Sequence, residues 1–290
     1  NYSSSDNSFI HGLSCQNFTM NSFLNGVANL NQGMNSNVEG TLNTNYGGIS
    51  HLEGFANTNF GEYSHLEGCN NTILITKTST TGIHAEGKYN LVDGVITHIE
   101  GFANYSYGDY SHVEGFFNYN LSNYSHVEGS SNNNYGSNNH VEGINNTIGS
   151  LGDVTVYPFE DTPSSSKYNH IGGESNILSS KSNNTLIHGL KNNVSGSNNL
   201  VVNTGNNVIG TNNITGGQGN TVNSNNSIVH GSNNLVNGSS NVVINSNNNV
   251  SGTNNFVGGQ FNIINAADSN IVHGYGNTVS GNNSIVSGTN

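Results

Sequence analysis

Apolar and polar positions recur with a fixed period of 14 residues along most of the chain. The period is clearest where the segment YSHVEG at 110–115 returns as YSHVEG at 124–129 and as NNHVEG at 138–143. We call the residue that closes each such segment, usually glycine, the marker of its turn. The markers are Gly12, Gly26, Gly40, Gly54, Gly68, Gly87, Gly101, Gly115, Gly129, Gly143, Gly173, Gly189, Asn203, Gly217, Gly231, Asn245, Gly259, Gly274 and Gly288.

Each repeat is too short for a helix with its loops, so we expect two short strands and two tight corners. A second glycine follows many markers after seven residues, as at Gly33 and Gly108. We expect both glycine positions to be corners that need a positive φ. The pattern predicts an all-β, flattened parallel β-solenoid of about 19 turns with two narrow facing sheets.

The residue two before the marker is aliphatic in every turn except at Thr215. Because side chains on a strand alternate between its faces, this column should form the core. The positions three and one before the marker then share the opposite, outer face. In the first half they hold His and Glu, in the complete pairs His51/Glu53, His65/Glu67, His84/Glu86, His98/Glu100, His112/Glu114, His126/Glu128 and His140/Glu142.

In the last third of the chain, the position three before the marker is apolar. Its residues are Leu186, Leu200, Ile214, Ile228, Val242, Phe256, Ile271 and Ile285. A single chain would expose this row, which we call the apolar stripe, to water. Soluble monomers rarely expose such patches, so we expect another chain to cover it.

Asparagine stands three residues past the marker in nearly every turn, as at Asn104 and Asn234. Stacked at a strand spacing of about 4.8 Å, these amides should bond to one another as a ladder. The first turn has Cys15 at this position, and Cys69 lies about four turns away. That separation, roughly 19 Å, disfavours a disulfide within one chain.

Two longer steps interrupt the register. One insertion lies near 73–80, and a longer one falls within 144–172 and contains both prolines. We therefore expect His/Glu-rich repeats over 1–143, an inserted surface loop over 144–172, and Asn/Gly-rich repeats over 173–290. Loops on a rigid scaffold often carry binding, although a tolerated insertion without a role is equally compatible with the sequence. The candidate binding residues in the loop are Tyr157, Phe159, Glu160 and Asp161.

Charge excludes some classes of partner. Only 8% of residues are charged, and the net charge of −12 includes just 5 Lys and Arg. No basic patch can neutralise phosphates, so nucleic acid is not expected as a partner. No apolar run approaches the roughly 20 residues of a membrane span, so we expect no membrane insertion in this segment.

Several turns carry a family resemblance. The segments NSIVHG at 226–231 and NSIVSG at 283–288, with VNG at 236–238, resemble the head repeats of trimeric autotransporter adhesins. The segments SHLEG at 64–68 and GIHAEG at 82–87 resemble the His-x-Glu-Gly repeats of phage and large-virus fibre proteins. The resemblance implies a left-handed parallel β-roll in an intertwined or side-by-side homotrimer. It also implies an extracellular location, on a virion or a cell surface.

Three interpretations of the His and Glu columns stay open. In the first, they form a trimer-interface ladder in which each buried Glu is paired. In the second, His residues of three chains converge on an axial metal ion, for which His112, His126 and His140 are the candidates. In the third, a His-x-Glu pair performs acid–base chemistry, but no nucleophile–base–orienter set accompanies it.

These observations predict a protein without catalytic residues or cofactor. We expect a non-enzymatic trimeric fibre or adhesin segment that projects from a virion or cell surface and mediates attachment. Its partners would be further copies of itself and a host surface glycan or receptor. The alternative is a purely structural filament or capsid-fibre subunit that binds no ligand.

Overall fold

The computed structural model describes residues 1–4, 6–74, 81–150, 166–179 and 181–290. These ranges form a parallel β-solenoid of about 19 turns, as the repeat predicts. Even-numbered strands form what we call the main sheet, and odd-numbered strands form the minor sheet. The chain divides into two compact units, one of Asn1–Asn139 and one of His140–Asp153 with Pro163–Asn290, besides a short segment that lies outside the described ranges.

In the first unit, every main-sheet strand has five residues and every minor-sheet strand has two. The main-sheet strands are β2 (Phe9–Leu13), β4 (Phe23–Val27), β6 (Asn37–Thr41), β8 (His51–Phe55), β10 (His65–Cys69), β12 (His84–Lys88), β14 (His98–Phe102), β16 (His112–Phe116) and β18 (His126–Ser130). The minor-sheet strands are β1 (Tyr2–Ser3), β3 (Gln16–Asn17), β5 (Leu30–Asn31), β7 (Thr44–Asn45), β9 (Thr58–Asn59), β11 (Thr72–Ile73), β13 (Leu91–Val92), β15 (Tyr105–Ser106), β17 (Tyr119–Asn120) and β19 (Asn133–Asn134).

In the second unit, the main-sheet strands again have five residues, whereas several minor-sheet strands are longer than two. The main-sheet strands are β20 (His140–Ile144), β22 (His170–Glu174), β24 (Leu186–Leu190), β26 (Leu200–Thr204), β28 (Ile214–Gln218), β30 (Ile228–Ser232), β32 (Val242–Ser246), β34 (Phe256–Gln260), β36 (Ile271–Tyr275) and β38 (Ile285–Thr289). The minor-sheet strands are β21 (Thr147–Ile148), β23 (Ile177–Leu178), β25 (Asn193–Ser195), β27 (Asn207–Ile209), β29 (Thr221–Asn225), β31 (Leu235–Ser239), β33 (Asn249–Thr253), β35 (Ile263–Ile264) and β37 (Thr278–Val279).

Within each unit, a strand pairs in parallel with the strand one turn later, and equivalent repeat positions face each other. His98 pairs with His112 in the first unit, and Ile228 pairs with Val242 in the second. The predicted core column is confirmed: Leu52, Val113 and Val229 are at most 1% exposed. The alternation of side chains therefore sets which residues lie in the core and which lie on the outer face.

The asparagine ladder is also confirmed. Asn104 is fully buried, and its Nδ2 donates to the carbonyl of Glu100 at 2.7 Å and to that of Gly115 at 2.9 Å. Its Oδ1 accepts from the backbone N–H of Asn118 at 2.9 Å. Each amide thus satisfies polar backbone atoms in its own turn and the next, which a buried corner requires.

A second amide column, which the repeat did not predict, lines two parts of the minor sheet of the first unit and is interrupted by Ile73, Val92 and Ser106. Asn45 donates from Nδ2 to Oδ1 of Asn31 at 2.8 Å, and Asn59 donates in the same way to Asn45 at 2.8 Å. The equivalent positions in the second unit are aliphatic, as at Val222 and Val236. The second unit therefore has an aliphatic column on both sheets, and the first unit has a core that is partly polar.

The predicted corners were partly wrong. The marker glycine lies inside the main-sheet strand, as Gly115 does within β16, at φ of 111°. The left-handed corner residues come two after the marker and five before it, and many are not glycine. Phe117 has φ of 56° and Tyr110 has φ of 53°. The second glycine has no left-handed φ at Gly33.

Some predictions fall outside the described residues. These include most of the insertion near 73–80, because 75–80 are not described, and the central part of the 144–172 loop, because 151–165 are not described. Both cysteines are free, as the turn count predicted. The part of the chain that the structure describes contains no helix that is long and apolar enough to span a membrane.

Candidate assembly interface

The outer face of the main sheet carries the His column as a continuous stack within the first unit. The imidazole centroids of successive turns, from His51 to His126, lie 4.7 to 4.9 Å apart. The rings of His112 and His126 are nearly parallel, with an interplanar angle of 1°. The parallel register puts identical side chains at the strand spacing, so stacking is the direct consequence of the repeat.

Each His of this stack lies beside the Glu two residues later in its own strand. The Nε2–Oε2 distance is 3.6 Å for His112 and Glu114 and ranges from 3.5 to 3.8 Å across the six pairs of the first unit. A hydrogen bond of this kind spans about 2.7–3.2 Å, so these are close electrostatic contacts. The His side chains of the six pairs are roughly two-fifths exposed.

The glutamate side chains are about half exposed in the single chain, so their burial between chains stays a prediction. The side chains of Glu53, Glu67 and Glu128 are 58%, 50% and 49% exposed, and Glu142 of the second unit is exposed as well. The physical reason is the position of the column: these carboxylates point away from the core, and no other part of their own unit covers the outer face. Water therefore solvates them in one chain, and only contact with a further chain could bury them.

Partial burial, together with the stacked neighbours, lowers the pKa of two histidines. Partial burial lowers the pKa of His84, and the imidazoles of His98 and His65 lower it further, against the opposing pull of Glu86. Burial likewise lowers the pKa of His112, followed by the effect of its stacked neighbours. A proton on a neighbouring ring repels one on His84 or His112, which favours the neutral form of these two side chains.

We expect the free energy of unfolding to fall as the pH drops below about 6.5, where the unfolded histidines begin to bind protons. The folded protein binds them less readily because the pKa values of His84 and His112 are lowered. The decline should continue down to those lowered values. Urea midpoints at pH 7.5 and 5.5 measure it. The double variant His84→Gln, His112→Gln should reduce the difference, and an undiminished difference would contradict this explanation.

In the second unit, His140 stacks on His170 instead, with centroids 4.6 Å apart and rings tilted by 41°. Within the described ranges, no group of three or more His, Cys, Asp or Glu is arranged to hold a metal ion in one chain. The predicted axial site of His112, His126 and His140 needs three chains, so it stays a prediction. The role of the seven His/Glu pairs as a trimer-interface ladder has the same status.

The apolar stripe lies exposed along the outer face of the main sheet in the second unit. Ile214 is 48% exposed, Ile228 44% and Phe256 44%. Leu200 and Val242 are half-buried, so the stripe is continuous from β24 to β38. A row this long is available to cover several hundred Å² of a partner surface.

An aromatic row on the outer face of the first unit escaped the sequence prediction. The rings of Phe102 and Phe116, each one residue after its marker, stack 4.8 Å apart. Phe117 packs edge-on against Phe116 at 4.6 Å, and Tyr89 packs edge-on against Phe102 at 5.7 Å. The signal was present as phenylalanine recurring 14 residues apart, at the position directly after the marker.

The candidate binding residues of the inserted loop all lie outside the described residues; they are Tyr157, Phe159, Glu160 and Asp161. The candidate interface of the first unit consists of the His and Glu columns with the aromatic row, and that of the second unit consists of the apolar stripe. In comparisons with protein-family models and with curated proteins, no family model and no curated protein matches the chain.

Proposed function

We propose that the protein is a non-enzymatic fibre segment whose chains assemble through the outer face of the main sheet. The observation that carries the proposal is the exposed apolar stripe, in which Ile214, Ile228 and Ile271 are 44–49% exposed. Contiguous apolar rows of this length mark interaction sites on soluble proteins. Burial of the stripe by equivalent chains would remove it from water without any other partner.

The number of chains and the handedness rest on the resemblance to trimeric adhesin heads and viral fibre repeats. We propose a left-handed coil and a homotrimer, in which the His and Glu columns of the first unit also lie between chains. The location that follows is extracellular, on a virion or cell surface. The proposal assigns no catalysis and no cofactor, since identical His–Glu pairs in successive turns are more typical of packing than of one active site.

Within this proposal, the assembled fibre mediates attachment to a host glycan or receptor. We propose the loop with Tyr157 and Phe159 as the contact, and three copies would strengthen a weak contact through multivalency. The second candidate function is a purely structural filament without ligand. The continuous strand pairing from β22 to β38 favours it, because every main-sheet strand of that stretch pairs with the strand of the next turn at equivalent repeat positions.

Replacing Ile228 with lysine should dissociate the assembly to single chains, because three ammonium groups would enter an apolar contact. Light scattering at pH 7.5 gives the mass. Binding to a panel of immobilised glycans should fall by roughly 100-fold or more as multivalency is lost. Deletion of 153–165, which keeps the buried Ser166, should leave the number of chains in the assembly unchanged and abolish binding.

The matched control is Ile209→Lys. Ile209 is 50% exposed and ends minor-sheet strand β27, away from the proposed contact. It should leave both mass and binding unchanged. A single-chain mass for the unaltered protein would refute the assembly. An assembled protein that binds no glycan in the panel would favour the purely structural function.

A further inference from the structure

The outer face of the second unit carries a longer period of three turns. At the position one before the marker, the residues run Gly172, His188 and Val202, then Gly216, His230 and Ile244, then Gly258, His273 and Ser287. Strand pairing puts these residues at successive levels of one column, since Gly216 pairs with His230 and His230 with Ile244. A histidine therefore recurs at every third level of a column that otherwise holds glycine, aliphatic side chains and one serine.

Each of the three glycines in this column lies close to the histidine one turn later. A Cβ on Gly172 would lie 3.0 Å from Cδ2 of His188, and one on Gly216 would lie 3.2 Å from Cδ2 of His230. Gly258 and His273 show the same 3.2 Å approach. Each imidazole thus leans over the glycine one turn earlier and occupies the space that the missing side chain leaves.

The three-turn period extends beyond this column. The hydroxyl of Thr211 contacts Oδ1 of Asn225 at 3.2 Å, and the hydroxyl of Thr253 contacts Oδ1 of Asp268 at 2.9 Å. The two pairs lie three turns apart, at matching points of the cycle. The second unit therefore repeats in groups of three turns at both of these positions.

The three histidines are exposed in the single chain and lie beside the apolar stripe. The other titratable side chains on the outer face of β22 to β38 are His170, Glu174 and Tyr275. If the stripe becomes buried, the imidazole N–H groups need an acceptor, because burying an unpaired polar group is costly. An aliphatic residue of a partner offers none, whereas the second ring nitrogen of another imidazole does.

We propose that the partner on this face is a further copy of the same chain, aligned level for level, so that His188, His230 and His273 each meet their own equivalents. This inference rests on the proposed function, which supplies the threefold assembly. A closed threefold arrangement keeps all chains parallel. If one chain were shifted by one or two turns relative to the other, each imidazole would lie opposite a glycine, an aliphatic residue or the serine. A shift by three turns would leave part of the apolar stripe uncovered.

Cysteine crosslinking tests the alignment. In a Cys15→Ser, Cys69→Ser background, three single variants are made: His188→Cys, His230→Cys and His273→Cys. Each is oxidised at pH 7.5 and run on a non-reducing gel. Parallel, level alignment should give a covalent dimer band with each variant alone. His188→Cys mixed with a size-tagged His273→Cys should give no mixed dimer, because six turns, roughly 29 Å, exceed the reach of a disulfide.

An antiparallel contact centred on His230 gives the opposite result and would overturn the proposal. His230→Cys would still crosslink alone, but His188→Cys and His273→Cys would crosslink only with each other. Ile209→Cys, on the minor sheet, should give no band in either case. Light scattering of the Cys15→Ser, Cys69→Ser protein distinguishes failure of the assembly from failure of the alignment. A single-chain mass refutes the assembly. An intact assembly whose cysteine variants form no crosslinks refutes the alignment.

Discussion

Replacing Gly217 with alanine is expected to lower the free energy of unfolding by roughly 2–4 kcal/mol, through steric overlap and backbone strain. Gly217 has φ of 101°, a conformation that side chains rarely adopt. A Cβ there would lie 1.9 Å from the carbonyl oxygen of Gly231, with the carbonyl carbon and the amide nitrogen of Gly231 at 2.8 and 3.0 Å. All three are backbone atoms, so the next turn would have to shift against the pairing of β28 with β30.

The matched control is alanine at Gly205, twelve residues earlier in the same unit. Gly205 has φ of 65°, and a Cβ there would meet only the backbone nitrogen of Gly219, at 4.0 Å. Ala28 and Ala103 occupy the equivalent corner at φ of 56° and 54°. The loss should therefore be about 1–2 kcal/mol, the ordinary cost of a left-handed alanine. Urea unfolding followed by circular dichroism compares the variants, and equal losses would refute the steric explanation.

Asparagine is partly tolerated at the marker position. Asn203 and Asn245 occupy the marker position with φ of 75° and 78°, which is closer to the left-handed region that asparagine tolerates. Gly217→Asn should therefore lose less stability than Gly217→Ala, although its side chain is larger. The two natural exceptions in the marker column thus follow from the same constraint as the glycines.

The strict period made most of the fold predictable. Once the markers are aligned, residues such as Leu52 and Val113 fall two before them, and alternation on a strand leaves them only the core. The ladder at Asn104 followed from the same alignment, because a polar residue repeated in every turn must satisfy its neighbours. A repeat removes the usual ambiguity about which distant segments pair, since each turn pairs with the next.

The corners could not be placed correctly from the glycines alone. Glycine marks both positive φ and close backbone approach, and at Gly115 both apply within a strand. The true corners at Phe117 and Tyr110 carry large aromatic residues, which sequence preference does not associate with a left-handed φ. The solenoid imposes this conformation on whichever residue occupies the position, so tertiary structure overrides local preference there.

The candidate interface was predictable in its composition and less so in its geometry. The stripe with Ile214 and Ile228 was identified as exposed and needing cover, and its exposure in the single chain agrees. Contacts between His112 and Glu114 were expected between chains, yet the pair already lies 3.6 Å apart within one strand. Burial of a carboxylate such as Glu53 depends on a second chain, so the repeat of one chain could not establish it.

Replacing Asn248 with alanine is expected to lower the free energy of unfolding by roughly 3–5 kcal/mol, because it leaves several buried polar groups without hydrogen-bond partners. The side chain is 1% exposed, and its Nδ2 donates to the carbonyl of Gly259 at 2.8 Å. Its Oδ1 accepts from the backbone N–H and from Nδ2 of Asn262, both at 3.1 Å. Alanine would leave the Gly259 carbonyl and the Asn262 N–H without partners in the dry interior, and it would leave a cavity.

Asn249 provides the matched control because it differs from Asn248 by one position. Its side chain lies exposed at the start of β33, so Asn249→Ala should change the free energy of unfolding by no more than about 0.5 kcal/mol. Native-state hydrogen exchange adds a local readout. In Asn248→Ala, amides of the adjoining turns should lose protection first, since each turn is held mainly by its neighbours. Similar stabilities for the two variants would mean that the amide ladder accompanies the fold without stabilising it, and the abundance of asparagine would then need another cause.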